Sequence, residues 1–157
     1  MRAQPLAWYS KDWKVSCEDG REVVLDLLRW REGAELDFGG ESFSLEKAGV
    51  LSRDFVLRRG DTVIARAYKP SSMRSRFEVE IEGEHYELEK ASAFGRSFIV
   101  RRGGRQVGSI QTLGAFSRKC QIDLPHEWPL ALRLFLFWLA VVVWNRETAT
   151  VAATSGT

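Results

Sequence analysis

The sequence predicts a mainly β domain in which about 12 antiparallel strands close into a barrel around one hydrophobic C-terminal helix. Three observations carry this prediction: a unit repeated at an offset of 43 residues, short stretches in which apolar and polar residues alternate, and a final apolar segment without a polar face. With 157 residues, 45% of them apolar, the chain has the length and composition of one globular domain. We assign that domain to residues 1–146.

The repeat is visible without a gap, because FSLEKAGVLSRDFVLRRGDTVIA from Phe43 aligns with YELEKASAFGRSFIVRRGGRQVG from Tyr86. Within each copy the pattern has period two, as where Phe77, Val79 and Ile81 alternate with glutamates. Such alternation is typical of half-buried strands. Glycine-containing turns punctuate the pattern, so each copy predicts four strands.

Candidate strands also precede the repeats, at roughly residues 13–17, 22–30 and 34–38. They raise the predicted total to 11 or 12. Many short strands at regular spacing favour a sandwich or a barrel.

The C-terminal segment decides between these architectures. Residues 130–144 read LALRLFLFWLAVVVW, and a helix that is apolar all round is buried all round. We predict this core helix over residues 129–145, with Pro129 in its first turn and Asn145 at its end. Fifteen residues rise about 23 Å, which matches a barrel wall of nearly 20 Å and falls short of the about 20 residues that cross a bilayer.

Two smaller expectations concern the ends of this helix. Arg133, its one charge, is expected to extend out of the barrel mouth and to leave its guanidinium in water. Residues 147–157, which are mostly small and polar, are expected to form a mobile tail.

The repeated FxLEK…RDFVLRRGDTVIA unit, the dozen short strands and the closing PLALRLFLFWLAVVVWNR helix together resemble the tubby C-terminal-like superfamily. This superfamily includes tubby proteins, phospholipid scramblases and LURP-one-related proteins, and the compact LURP-one-related type is the nearest likeness. The resemblance implies a 12-stranded barrel around a central helix. Tubby domains bind phosphoinositides through basic side chains and scramblases act at membranes with calcium, but no segment here matches those binding motifs residue by residue.

The candidate binding residues are basic. Arg58-Arg59 and Arg101-Arg102 recur at equivalent turns of the two copies, and we group them with Arg118 and Lys119 as a surface for anionic lipid, with Arg74 and Arg76 nearby. The alternative is that these cations pair with the acidic hairpin at residues 78–89 and keep the domain soluble.

No catalytic arrangement is visible, so the sequence indicates a non-enzymatic binding or scaffold domain without a cofactor or a metal site. His85 and His126 have no triad or ligand partners nearby in sequence and are interpreted as structural or solvated. A net charge of +2 disfavours nucleic acid as a partner. We expect a monomer that contacts anionic lipid at a membrane surface.

Location is predicted from what the chain lacks. Cys17 and Cys120 have no disulfide or zinc spacing, and the first residues show no apolar secretion signal, which together predict a cytoplasmic protein, peripheral at the membrane. Two alternatives stay open: a tail-anchored protein whose β domain is cytosolic and whose final helix enters the bilayer, and a small hydrolase or calcium-dependent enzyme, for which no nucleophile, base and orienting group occur in a recognisable order.

Overall fold

The computed structural model describes residues 1–71 and 75–156. Its core is a closed barrel of twelve antiparallel strands, which confirms the predicted fold class. Each strand pairs with its sequence neighbours, and the first strand pairs with the last to close the ring. The strands are β1 (Arg2–Pro5), β2 (Trp13–Ser16), β3 (Glu22–Leu27), β4 (Gly33–Phe38), β5 (Glu41–Lys47), β6 (Asp54–Arg59), β7 (Thr62–Tyr68), β8 (Arg76–Ile81), β9 (Glu84–Lys90), β10 (Phe98–Arg102), β11 (Arg105–Thr112) and β12 (Cys120–Asp123).

Two predicted strand features are corrected by the structure. The strand β1 lacks a strong pattern, since it has only four residues and ends in a proline, and it was not predicted. It forms because Ala3 faces Cys120 on β12 and Val15 on β2, two contacts that are distant in sequence. The strand predicted over residues 22–30 ends at Leu27, because Arg29, Trp30 and Arg31 are exposed in the following loop.

The duplication is visible in the backbone as well as in the residues. The pairing register shifts between Leu57 and Arg58 in the first copy and between Val100 and Arg101 in the second, which lie 43 positions further on. A bulge at the same place in two hairpins is a feature of the repeated unit, because bulges arise from local sequence and geometry. The repeat therefore encodes a hairpin shape as well as an alternation pattern.

The helix α1 (Leu130–Ser155) runs through the barrel, and every residue from Leu130 to Trp144 is buried. Its aromatic residues pack against the inner wall, where Trp138 meets Phe55 edge to face at 5.8 Å. Trp144 donates its indole N–H to the carbonyl of Arg96 at 2.9 Å. The side chains of the strands are thus the environment that accepts this apolar helix, as predicted.

The far end of the helix differs from the prediction. Instead of ending at Asn145, the helix continues to Ser155, so the segment predicted as a tail is helical up to that residue. Nothing in this stretch breaks a helix before Gly156, and ion pairs tie its first turn to the barrel: Arg146 with Glu32, and Glu147 with Lys90. The end of the apolar run therefore indicates where the helix leaves the core, not where the helix ends.

The position of Arg133 is also corrected. Its side chain is only 10% exposed, and its Nη1 lies 3.3 Å from Oε2 of Glu18 rather than in open water. The charge is near the barrel mouth, as expected, but it is paired there through Nη1 with a carboxylate from the turn after β2, while its buried Nε has no hydrogen-bond partner among the described residues. A buried cation requires such a partner.

Candidate functional site at the loop end of the barrel

The barrel has two different ends. One end, which we call the turn end, carries the short turns at residues 17–21, 39–40, 60–61, 82–83 and 103–104 and the connector at residues 124–129. The other, the loop end, carries the loops at residues 6–12, 28–32, 48–53, 91–97 and 113–119, and the described residues 69–71 and 75 of the connection between β7 and β8. Because α1 enters at the turn end, its exposed last turns emerge among the loops.

The four repeated arginines lie near the turn end and are paired with glutamates. Arg58 donates through Nε to Glu46 at 2.7 Å, and Arg101 makes the equivalent bond to Glu89 at 3.0 Å. The second arginine of each pair also has a carboxylate partner: Arg59 pairs with Glu41 and Arg102 with Glu84. The charges of all four are therefore compensated locally.

Arg118 and Lys119 lie at the opposite end of the barrel, so the six predicted residues do not form one surface. Arg118 donates to the carbonyls of Trp8 and Ser10, and its guanidinium lies over the ring of Trp13 at 5.5 Å. Of the neighbouring basic candidates, Arg76 pairs with Glu87, whereas Arg74 lies outside the described residues.

Charge separates along the barrel axis. Among the described residues of the six loops and of α1 beyond Trp144, nine are Lys or Arg and three are Asp or Glu. The turns and the connector at the other end contain one Arg and five acidic residues. The loop end is therefore positive and the turn end negative, although the whole chain is nearly neutral.

Four of the loops share one conformation over seven residues, and we call these segments the crest loops: residues 6–12, 48–54, 91–97 and 113–119, of which the second includes Asp54, the first residue of β6. In each, the N–H of the first residue donates to the carbonyl of the seventh at 2.8 to 2.9 Å. In three of them a serine at the fifth position accepts a hydrogen bond from the N–H of the seventh: Ser10, Ser52 and Ser117. Gly95 occupies that position in the third loop, where its N–H donates to the side chain of Ser92.

The shared conformation sets two side chains in register around the rim. The fourth position of the crest loops is apolar and exposed in every case: Tyr9, Leu51, Phe94 and Phe116. The sixth position is basic in every case: Lys11, Arg53, Arg96 and Arg118. Only the middle two loops are related by the sequence repeat, so the recurrence became visible from the hydrogen-bond pattern.

Three of the crest cations bind the next loop around the rim. Arg53 donates to the carbonyl of Pro70, Arg96 to that of Ser117, and Arg118 to those of Trp8 and Ser10. These acceptors are neutral carbonyls, so the positive charges are held in place without being cancelled. Within the described part of the chain, no carboxylate lies within 4.0 Å of their guanidinium nitrogens.

Two grooves flank α1 where it emerges. One, of about 550 Å³, lies between the helix and the loop carrying Trp30, with Trp138 and Val142 among its lining residues. The other, of about 610 Å³, lies between the helix and Arg96 and Arg118. Both grooves open at the positive end of the barrel.

The remaining candidates lie away from this end or on the outer wall. His85 is exposed on β9, and His126 is exposed in the connector before α1. Residues 1–71 and 75–156 contain no cluster of three or more His, Cys, Asp or Glu side chains placed to hold a metal ion. Over the same residues, no helix has the length and apolar character needed to span a bilayer.

The chain matches no protein-family model, no curated protein and no solved structure.

Proposed function

We propose that this domain is a non-enzymatic binding module that attaches peripherally to anionic phospholipid surfaces through its loop end. The observation that carries the proposal is the separation of charge: nine basic and three acidic residues at the loop end, against one basic and five acidic residues at the turn end. A charge distribution of this kind orients a nearly neutral molecule as it approaches a negative surface.

Three exposed basic side chains of the loop end support this orientation, because they have no carboxylate partner among the described residues. The exposed Lys11, Arg31 and Lys119 have no carboxylate within 4.0 Å among the described residues. Each basic residue near an anionic surface contributes about 1 kcal/mol of attraction. The four predicted arginines at residues 58, 59, 101 and 102 contribute less to this attraction, because each is paired with a glutamate.

The test is flotation with vesicles of phosphatidylcholine alone and of phosphatidylcholine with phosphatidylserine. We expect binding only to the anionic vesicles, and weaker binding as salt rises from about 0.1 M to about 1 M, where the screening length falls from about 10 Å to about 3 Å. Replacing Lys11, Arg31 and Lys119 by glutamine in one triple variant should remove about 3 kcal/mol of binding free energy, which corresponds to about two orders of magnitude in affinity.

A matched control carries the same change of charge elsewhere. Arg2, Arg66 and Arg105 are exposed on the wall or near the turn end, and their combined replacement by glutamine leaves the loop end unchanged. Equal loss of binding in both triple variants would show that net charge matters rather than the loop end. Absence of binding to anionic vesicles at low salt would remove the proposal.

A further inference from the structure

We infer that the loop end does more than attract a charged surface: the crest loops insert apolar side chains below the lipid head groups, so that the barrel docks end-on. This inference rests on the proposed function, but a different observation carries it. Most of the large apolar side chains that the described residues expose lie in the loops of this one end, and none lies in a turn at the opposite end.

Three of the four crest tips are almost fully exposed, and the fourth, Tyr9, is 76% exposed. Phe94 and Phe116 are as exposed as in an extended chain, at 103% and 101%, and Leu51 is 96% exposed. Trp8, in the crest loop at residues 6–12, is 88% exposed, and Trp30, in the loop at residues 28–32, is 97% exposed. Single exposed apolar residues are ordinary on protein surfaces, but a set concentrated at one end marks an interaction site.

Local structure does not account for these residue types. The central positions of tight turns favour Gly, Asn, Asp, Ser and Pro, which stabilise the turn or adopt its backbone angles. The crest loops instead carry Tyr9, Leu51, Phe94 and Phe116 at a position where the side chain touches little of the protein. A feature that recurs in four loops without stabilising them indicates a partner outside the chain.

The spacing between apolar and basic positions matches the layers of a membrane surface. In each crest loop the cation follows the apolar tip by two residues, as Arg96 follows Phe94. Interfacial segments bury Trp, Phe and Leu about 5–10 Å into the boundary of head groups and acyl chains while their Lys and Arg stay with the phosphates. The crest loops at residues 91–97, 113–119 and 6–12 are consecutive and lie two strands apart, about 10 Å around the rim, whereas the loop at residues 48–54 is four strands, about 20 Å, from its nearest crest neighbours; all four tips are on the same end and can enter one surface together.

The exposed part of α1 is compatible with this docking. From Thr148 to Ser155 it carries no charged residue. Its threonine hydroxyls donate to carbonyls of the same helix, including Thr148 to Trp144 and Thr150 to Arg146. Polar groups satisfied within the helix lower the cost of leaving water.

Two natural reporters allow insertion to be measured on the intact chain. Trp8 and Trp30 are almost fully exposed at the loop end, whereas Trp13, Trp138 and Trp144 are buried. On anionic vesicles whose acyl chains carry bromine, we expect the tryptophan emission to be quenched and shifted to the blue. The variant with Trp8→Phe and Trp30→Phe should lose most of this change while it still binds.

The second measurement separates insertion from electrostatic attachment. The triple variant Leu51→Ser, Phe94→Ser, Phe116→Ser removes three of the four tips without touching the core, and we expect it to lose at least tenfold in affinity and all binding that persists in high salt. Val24→Ser is the matched control, because Val24 is an exposed apolar residue on the wall.

The outcomes are distinguishable. Binding that is abolished by salt, gives no quenching by bromine and is unchanged in the serine variant would overturn insertion and leave the proposed function standing. Failure to bind anionic vesicles at all would overturn both. A dimer in sedimentation that the serine variant dissociates would assign the crest to a second copy of the chain and also overturn insertion.

Discussion

Arg146 and Glu32 form a two-point ion pair at the place where α1 leaves the barrel, with Nε 2.5 Å from Oε1 and Nη2 2.6 Å from Oε2. The pair joins the helix to the loop that carries Trp30. The guanidinium also lies over the ring of Phe55 at 5.5 Å. This contact fixes the direction of the exposed helical turns relative to the crest.

We expect the Arg146–Glu32 pair to contribute about 1 kcal/mol to the free energy of unfolding, since its two bonds are parallel but both side chains are about one-third exposed. A double-mutant cycle with Arg146→Met and Glu32→Gln, followed by urea unfolding, measures the coupling. The more exposed Arg59–Glu41 pair, at 3.5 Å, is the comparison and should give a coupling near zero. Equal couplings would contradict this ranking.

Truncation tests the role of α1 as the core. Removing residues 124–157 deletes the fifteen buried helical residues, of which twelve have large apolar side chains. Burial of each such side chain contributes about 2 kcal/mol, so their combined contribution exceeds the about 5–15 kcal/mol by which a typical domain is stable. We expect no cooperative unfolding transition. Removing only residues 148–157 should change stability by less than about 1 kcal/mol, because both ion pairs at the exit remain. A folded, cooperative protein without residues 124–157 would show that the barrel does not need its helix.

Glu82 is strained at a turn position for which the residue 43 positions earlier is a glycine. It is the residue other than glycine with a positive φ among those described, at 52°, and it corresponds to Gly39 at 62°. We expect Glu82→Gly to raise the free energy of unfolding by about 0.5–1 kcal/mol, because a side chain is disfavoured in this conformation. Chemical denaturation measures the change, with Glu84→Gly as the control; a destabilised Glu82→Gly protein would contradict the prediction.

Thiol labelling reports on the closing strand. Burial raises the pKa of Cys120 to about 12, against the opposing effect of the Arg96 and Arg118 charges. Cys120 should therefore stay unmodified by a thiol reagent at neutral pH until the barrel opens, while the partly exposed Cys17 reacts first. The variant Cys17→Ser isolates the Cys120 signal, and rapid labelling of that variant under native conditions would show that β12 opens readily.

Acid should weaken the cluster at the turn end. Burial acts to raise the pKa of the Glu18 carboxylate. Hydrogen bonds from the Met1 α-ammonium and from the backbone N–H of Glu18 act in the opposite direction, as do the charges of that ammonium and of Arg133. The net effect lowers the pKa from 4.5 to about 2. A lowered native pKa gives stability that is complete above about pH 4.5 and is lost as pH falls towards 2. Unfolding of the wild type and Glu18→Gln across this range measures it: the difference in free energy should shrink with acid, and a constant difference would contradict the assignment.

The predictable part of the fold came from patterns carried by local residues. Alternation such as Phe77, Val79 and Ile81 marks the buried face of a strand, and the apolar run from Leu130 to Trp144 marks a helix buried on all sides, because each pattern follows from backbone geometry alone. The helix end beyond Asn145 was missed, since exposed helical turns have no apolar pattern and here depend on ion pairs with the barrel.

The candidate site was predicted less well. The arginines at residues 58, 59, 101 and 102 were predicted to bind lipid because they recur in both copies. Their glutamate partners recur as well, as Arg58 with Glu46 and Arg101 with Glu89, so the repeated feature is an ion pair. The 43-residue repeat also aligns Leu51 with Phe94 and Arg53 with Arg96. That signal could have indicated a shared loop, although it extends to only two of the four crest loops.

The amino-acid sequence by itself determined that this chain has 11 or 12 short strands, each with one polar and one apolar face. It also determined that a helix without a polar face fills the space that these strands enclose. Only the tertiary structure decided which loops are neighbours. Pairing of Ala3 with Cys120 closes the ring and brings residues 6–12 beside residues 113–119. Because strand pairing joins residues that are remote along the chain, no local pattern could have placed the exposed tips and their cations on a single rim.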